Sequence, residues 1–343
     1  MTEITIIGID LAKRSFQLHG AGADGSVIFR KKLPRDRILG FLADQPACLV
    51  AMESCATSHY WGRKITNLGH RVRLIPPIYV KPFVKRQKND AADAEAIAEA
   101  ASRPTMRFVA VKSETQQSQS MLFRTRDLMV GQRTQMINAL RGHLAEYGVI
   151  APQGAVQVHR LAQAIDDQGS ELPGTVRDLG RMYLGQIADY NEKIEALERD
   201  IRVRAKNDKD VSRLMTMPGI GPICAMAIQA FAPPMEAFRN GRDFAAWLGI
   251  VPRQKSTGGK QKLGKTSKMG QRDIRRLLII GAMSVVNWAG RRGSSESTWL
   301  GRMLTRKPRI LVATALANKM ARAVWAMMTR KENYRDPTAA NLA

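Results

Sequence analysis

Acidic side chains are scarce in this chain of 343 residues: 30 Asp plus Glu stand against 54 Lys plus Arg, a formal charge of +24 at pH 7 and a pI near 10.5. Such an imbalance points to a polyanionic partner. Cysteine is nearly absent, and Cys48, Cys55 and Cys224 form no C-x-x-C pair, while the five histidines never fall at zinc-ligand spacing from them. A structural zinc site is not expected, and each thiol should be a buried, reduced, small hydrophobe. No apolar run reaches the roughly eighteen residues of a membrane span, and no charged start with an apolar core marks a signal peptide. Nucleic acid is thus favoured over a membrane surface, and the expected location is a bacterial cytoplasm, in association with the nucleoid.

What is present is ordinary globular material, 44% hydrophobic and 24% charged, long enough for two or three domains. The positive charge is concentrated: Lys and Arg minus Asp and Glu come to +16 over residues 251–330 but −5 over 161–200. The last third is therefore the electrostatic footprint.

Ile4-Thr-Ile-Ile-Gly-Ile-Asp10 is a β-branched run ending in an acid, as near-continuously apolar as a strand buried on both faces. Residues 16–21 and 27–32, separated by Asp24-Gly25, read as two further antiparallel strands joined by a hairpin turn. After Pro34 the pattern predicts a short helix around Ile38 to Leu42, a strand over Cys48-Leu-Val-Ala-Met-Glu53, a helix near 60–68, a strand over 71–75 and an alanine-rich helix from about Asp90. This order resembles the ribonuclease H-like fold, an α/β architecture in which the first and fourth strands lie side by side and parallel. Asp10 and Glu53 would then emerge at one edge, which the last helix crosses.

Asp90 and Asp93, at helical i and i+3, share a face. Taken alone they are a cap: Asn89 or Asp90 accepts from the first-turn amides, and Asp93 or Glu95 complements the positive helix end. Singly, Asp10 reads as a turn residue and Glu53 as an exposed strand end. Together the four carboxylates demand a cation. At roughly 4 Å and an effective dielectric of about 20, each pair repels by about 4 kcal/mol, and several pairs rival a domain's whole stability of about 5–15 kcal/mol. Magnesium, with manganese as its substitute, suits all-oxygen ligands, and two ions roughly 3.5–4 Å apart would clamp both reacting oxygens of a phosphodiester. The opening Gly-Ile-Asp-Leu-Ala-Lys13 also resembles the first strand of sugar kinases and actin-like ATPases, but no glycine-rich phosphate loop follows Asp93.

Helical periodicity runs from about 114 to 147 and from 176 to 205, where Ile187, Ile194, Leu197 and Ile201 form an a/d seam suited equally to an intrachain hairpin and an intermolecular coiled coil. Met217-Pro-Gly-Ile-Gly-Pro222 resembles the hairpin of helix-hairpin-helix modules, whose glycines leave amides free for phosphate; an ordinary tight turn is the alternative. Between Val251 and Gly270, Lys255, Lys260, Lys262, Lys265 and Lys268 alternate with Gly, Ser and Thr, which reads as a mobile cationic loop for a sugar-phosphate backbone; Arg272, Arg275 and Arg276 extend it along a helix. Composition does not choose among Ser256, Thr257, Thr266 and Ser267 there.

From Asp10 to about Met328 the chain resembles the DEDD-type insertion-sequence transposases, recombinases guided by a bridge RNA. The resemblance is carried by Gly-Ile-Asp10, Met-Glu-Ser54, Asn-Asp-Ala-Ala-Asp93, Met-Pro-Gly-Ile-Gly221 and the block from Ser256 to Gly270. It implies a RuvC-like domain over 1–110 with Asp10, Glu53, Asp90 and Asp93 as metal-binding acids, a helical, coiled-coil dimerisation region over 111–205, a mainly α-helical transposase domain over 206–330, and a tail over 331–343. It implies that DNA is cut, exchanged and rejoined through a covalent phosphoserine link at Ser256, or at a neighbouring hydroxyl; by their charge and nearness in sequence, Lys255, Lys260 and Lys262 would stabilise the charge developing on the phosphate. It also implies a dimer or tetramer holding donor DNA, target DNA and a noncoding RNA. Two readings compete with it: a RuvC-like nuclease or junction resolvase using metal-activated water, and a non-catalytic nucleic-acid-binding protein.

Overall fold

The computed structural model describes residues 3–85, 90–293 and 297–336, apart from the Asp90 side chain. The chain divides into two compact units, Met1–Gln117 and Ser118–Ala343.

The first unit runs β1 (Ile6–Leu11), β2 (Ser15–Ala21), β3 (Val27–Pro34), α1 (Ile38–Ala43), β4 (Leu49–Glu53), α2 (Ser58–Thr66), β5 (Arg71–Ile75), α3 (Pro77–Val80) and α4 (Asp90–Ser102). Its five strands form one mixed sheet in the order β3-β2-β1-β4-β5. β1 pairs antiparallel with β2 and β2 with β3, whereas β1 with β4 and β4 with β5 are parallel. The first and fourth strands are thus parallel neighbours, as expected.

Side-chain alternation divides the core between the two faces of this sheet. Ile7, Ile9, Val50 and Met52 pack with Ile38 and Leu42 of α1 and Trp61 and Ile65 of α2. Ile6, Leu49 and Ala51 point the other way, into a cluster with Ile97, Ala100 and Ala101 of α4. The alanine-rich composition of α4 allows a very close approach: a Cβ on Gly8 of β1 would fall 2.2 Å from the Ala94 carbonyl oxygen and 2.8 Å from the Ala98 nitrogen. Glu95 reaches Arg30 of β3 at 2.9 Å, and the Ala101 carbonyl accepts from Arg73 of β5 at 3.0 Å. The helix therefore lies across the strands rather than along them.

The second unit is mostly helical: α5 (Glu114–Ala145), α6 (Val158–Asp166), α7 (Gly174–Asn207), α8 (Lys209–Leu214), α9 (Pro222–Phe231), α10 (Gly241–Trp247), the strands β6 (Pro252–Gln254) and β7 (Leu263–Thr266), then α11 (Arg272–Arg292), α12 (Trp299–Arg306) and α13 (Arg309–Arg330). α5 and α7 pair antiparallel within the chain: Arg126 donates to Glu198 at 3.0 Å and Arg133 to Asn191 at 2.8 Å. The seam residues Ile187, Ile194 and Ile201 are buried and Leu197 half-buried. The intrachain hairpin is the arrangement formed, and α6 closes it by setting Leu161 and Ile165 against Ile137, Leu140 and Leu144. α13 is long and apolar enough to cross a membrane, a feature that a search for uninterrupted apolar runs passes over. Here Val312, Ala317 and Val324 sit in the core with Ala225, Phe244 and Leu278, as in the central helix of a folded domain.

Gly8→Ala should destabilise the first unit by about 1–3 kcal/mol, because the added methyl meets helix backbone that cannot swing aside. Gly40→Ala, in α1 with nothing within 4 Å of the added Cβ, should be neutral or stabilising. Urea unfolding of the two variants checks this, and equal stability would contradict the packing at Gly8.

Candidate active site

The β1–β4 register pairs Ile9 with Met52, so the next residues of the two parallel strands are Asp10 and Glu53. Ile9 and Met52 point into the α1–α2 core; Asp10 and Glu53 therefore share the opposite face with Gly8 and Ala51, the face that α4 covers. Adjacent strands lie about 4.8 Å apart, which sets the two acids side by side. Both are half-buried. The Cys55 thiol registers their charge: burial pushes it up, and Glu53 and then Asp10 push it further. Cys55 is itself half-buried in the turn after β4, contrary to its expected burial, whereas Cys48 and Cys224 are buried and pushed up to about 11 and about 12 by burial alone.

Asp93 is half-buried and immediately precedes Ala94, whose carbonyl overlies Gly8. Asp90 opens α4, but its side chain and all of Asn89 lie outside the described residues, as do the capping contacts expected of them. Among the described residues, no three of His, Cys, Asp and Glu stand close enough to hold one metal ion. The sheet brings Asp10 and Glu53 together; it does not draw Asp93 into a cluster of three with them. Glu95 turns towards Arg30 and Lys85, and the hydrogen bond from Lys85 holds its carboxyl below the usual range.

Arg35 belongs to this edge and is invisible to sequence reasoning. Its Nη1 donates to the Ala12 carbonyl at 3.1 Å, two residues beyond Asp10. Its guanidinium lies 5.1 Å from the Phe16 ring and 5.4 Å from the Trp61 ring, which meet edge to face at 5.0 Å. One side chain thus fastens the turn after Asp10 to the helix after Glu53, from a position whose neighbours in sequence give no hint of the contact.

In the second unit, the stretch expected as a mobile loop is a β-hairpin. β6 and β7 pair antiparallel, the Lys255 amide donates to Lys262 at 2.8 Å, and Lys260 donates to Thr257 at 3.1 Å. Gly258 and Gly259, at φ +54° and +73°, supply the two positive-φ positions of a type I′ turn, which side-chain-bearing residues rarely adopt. Ser256 is exposed on the arm entering that turn. Lys255, Lys260, Lys262, Lys265, Lys268 and Arg272 are exposed as well. Arg275 and Arg276 are not free in the same way: Arg275 donates to the Leu248 carbonyl at 2.9 Å, burial and then Arg272 lowering its pKa, and Arg276 pairs with Asp127. Arg253, which sequence reasoning missed, closes the hairpin base onto the Ser267 carbonyl at 3.2 Å. In the Met217–Pro222 turn, Gly219 is spent on packing: a Cβ on Gly281 of α11 would sit 1.9 Å from its carbonyl oxygen. Gly221 is exposed and caps α9.

The electrostatic adjacency at the sheet edge can be read chemically. Negative neighbours disfavour a thiolate, so Glu53→Gln should lower the Cys55 pKa and speed its alkylation by iodoacetamide several-fold at pH 8 in EDTA. Mass spectrometry of the Cys55 peptide measures the rate; no change would separate Glu53 from Cys55.

Comparison with known proteins agrees with the motifs. The family described as Transposase IS116/IS110/IS902 matches residues 211–296, and a DEDD-type IS110 transposase family matches residues 7–149. The chain is 45% identical over 331 residues to a probable family 20 transposase of Pseudomonas aeruginosa, covering 96% of this chain and 98% of the relative. It is 41% identical to the transposase for insertion sequence element IS1328 of Yersinia enterocolitica, with 96% and 98% covered. The transposase for IS1111A of Coxiella burnetii is 36% identical, with 98% and 92% covered. Identity at this level along nearly the whole length makes the chain a member of the IS110 family of insertion-sequence transposases, enzymes that cleave and rejoin DNA.

Proposed function

We propose that this transposase cuts and rejoins DNA through a serine-linked intermediate, with a divalent metal held at the Asp10–Glu53 edge, under the guidance of a noncoding RNA. The observation that carries the reading is the adjacency of two half-buried carboxylates on parallel strands beneath α4. The strand order and directions support a ribonuclease H-like, RuvC-type unit.

The residues present fit a hard cation. Asp10 and Glu53 offer oxygen donors only, side by side, and their mutual repulsion is relieved by a positive ion between them. Asp93 and Asp90, from the first turns of α4, are the acids that would complete the shell with magnesium or manganese. When bound, the ion neutralises phosphate charge and stabilises the oxygens that attack and leave.

The chain's own contribution to the covalent step is Ser256. Its Oγ bonds to the scissile phosphorus as the bond to the departing strand oxygen breaks, and the hydroxyl proton ends on that oxygen. Attack by a strand hydroxyl on the phosphoserine reverses these changes and rejoins DNA. A serine hydroxyl is a poor nucleophile unaided. Lys255, Lys260 and Lys262, exposed on the same hairpin, supply positive charge where the phosphate becomes more negative. The acids and Ser256 belong to different units of the chain, and the proposal includes a dimer or tetramer.

The test is trapping. Incubated with end-labelled element-junction DNA, the element's RNA and magnesium, the protein should yield a denaturant-stable protein–DNA adduct; Ser256→Ala should abolish it and Asp10→Ala reduce it at least about 100-fold, no less than the loss of one acid–base group. An adduct surviving in Ser256→Ala moves the nucleophile to another hydroxyl. Free product ends without any adduct would instead support a nuclease using activated water.

Binding should also weaken linearly in log–log plots against salt, by about 0.9 per neutralised duplex phosphate, and Lys260→Ala combined with Lys262→Ala should flatten that slope by about two. A slope unchanged in the double variant would remove the hairpin from the DNA-binding surface.

A further inference from the structure

A groove of about 610 Å³ is lined by residues of α11, α12, α13 and the segment that follows α13. That volume lies within the roughly 300–1,000 Å³ of sites that hold small organic groups. Met217 and Pro218, from the turn before α9, also line it; the acids and the hairpin hydroxyls and lysines discussed above do not. Its lining includes the apolar Leu316 and Met320, and against them stand three aromatic rings, Trp288, Trp299 and Tyr334. Trp288 is 59% exposed, an uncommon state for the largest side chain.

Cations crowd the rings. The Arg292 guanidinium lies 4.8 Å from the Trp288 ring, and Lys319 Nζ lies 4.3 Å from the Trp299 ring. Burial lowers the Lys319 pKa, and the like charges of Arg322 and Arg302 lower it further, against a smaller opposing pull from Asp336, which lines the groove together with Glu332, Arg330 and Arg335. Arg322 carries a buried Nε with no hydrogen-bond partner. Positive groups brought this close are relieved by an anion. An apolar protein segment filling the groove would do the reverse, taking Lys319 further out of water with no new negative partner. Flat aromatic faces beside such a cluster fit a nucleotide, base on ring and phosphate on cation.

We propose that this groove binds an unpaired nucleotide of a DNA strand, its base stacked on Trp288 and its phosphate at Lys319. A paired base keeps both faces inside the duplex stack, so the site selects single-stranded DNA, which any exchange of strands must expose. The proposal rests on the family's action on DNA and not on the assignment of Ser256 or of a metal.

The full-length protein is titrated into a fluorescein-labelled oligothymidylate of about twelve nucleotides, and separately into a duplex of equal length, with anisotropy as the readout. Trp288→Ala should weaken single-strand binding about tenfold, the scale of one base–aromatic stack, and leave duplex binding within about twofold. Trp288→Phe should keep most of the single-strand affinity, and Lys319→Met should lose several-fold. The exposed position of Trp288 predicts unchanged thermal midpoints, which verifies folding. Equal losses on duplex and single strand, or none on either, would overturn the site, as would intact single-strand binding in Lys319→Met. An oligouridylate RNA that binds more tightly than the DNA, with the same dependence on Trp288, would overturn the assignment to DNA. Because binding is read without cleavage, failure here leaves the adduct experiment standing, and the converse holds.

Discussion

The parallel pairing of β1 with β4 is the constraint on which the proposed chemistry of the first unit depends. Residues in register on parallel neighbours share a face, and the positions after the Ile9–Met52 pair both carry a carboxylate, Asp10 and Glu53. Left to themselves, such groups repel by kcal/mol amounts at the separations of neighbouring strands. The sheet enforces their approach through backbone hydrogen bonds that neither side chain can relax.

Close approach of α4 is the second half of that constraint. Gly8 lies two residues before Asp10 on the same face, and its missing side chain lets the Ala94 and Ala98 backbone descend onto the strand. A helix held at ordinary distance by larger side chains would carry Asp93 away from the edge. The alanines of α4 and the glycine of β1 are thus one feature written in two places. Arg35 supplies the lateral restraint, tying the turn after Asp10 to Trp61. Rigid strands and a packed helix, rather than loops, set the positions of these groups, which is how a charged constellation keeps its geometry.

Much of this is legible in the chain itself. The apolar run ending at Asp10, the Asp24-Gly25 turn and the apolar run of β4 give the element order, and the ribonuclease H-like fold that this order resembles places Asp10 and Glu53 at a shared edge. Legibility ends where a contact joins residues far apart in sequence with no periodic trace, as for Arg35 with Ala12 or Arg276 with Asp127. The hairpin around Ser256 is hidden for another reason: its strands are short, exposed and lysine-rich, without the alternation of apolar side chains that marks a strand, and only Gly258-Gly259 betrays the turn. The α6 segment is short, and its apolar pair Leu161 and Ile165 gains meaning only against α5.

Charge counting shows the same boundary. The excess of +24 identifies the class of partner, yet it treats every guanidinium alike. Arg276 is paired with Asp127 of α5, Arg126 and Glu198 tie α5 to α7, and Arg275 is half-buried against the Leu248 carbonyl. Replacing Arg126 would loosen the helical unit, since breaking its partly buried pair leaves the Glu198 charge without compensation. On the hairpin from Lys255 to Lys268 and at Arg272, by contrast, the cations are exposed, and these are the side chains proposed to meet DNA. The lysines of the hairpin are spaced by a type I′ turn whose geometry glycine supplies without strain, so the backbone and not the net charge sets where that positive charge stands.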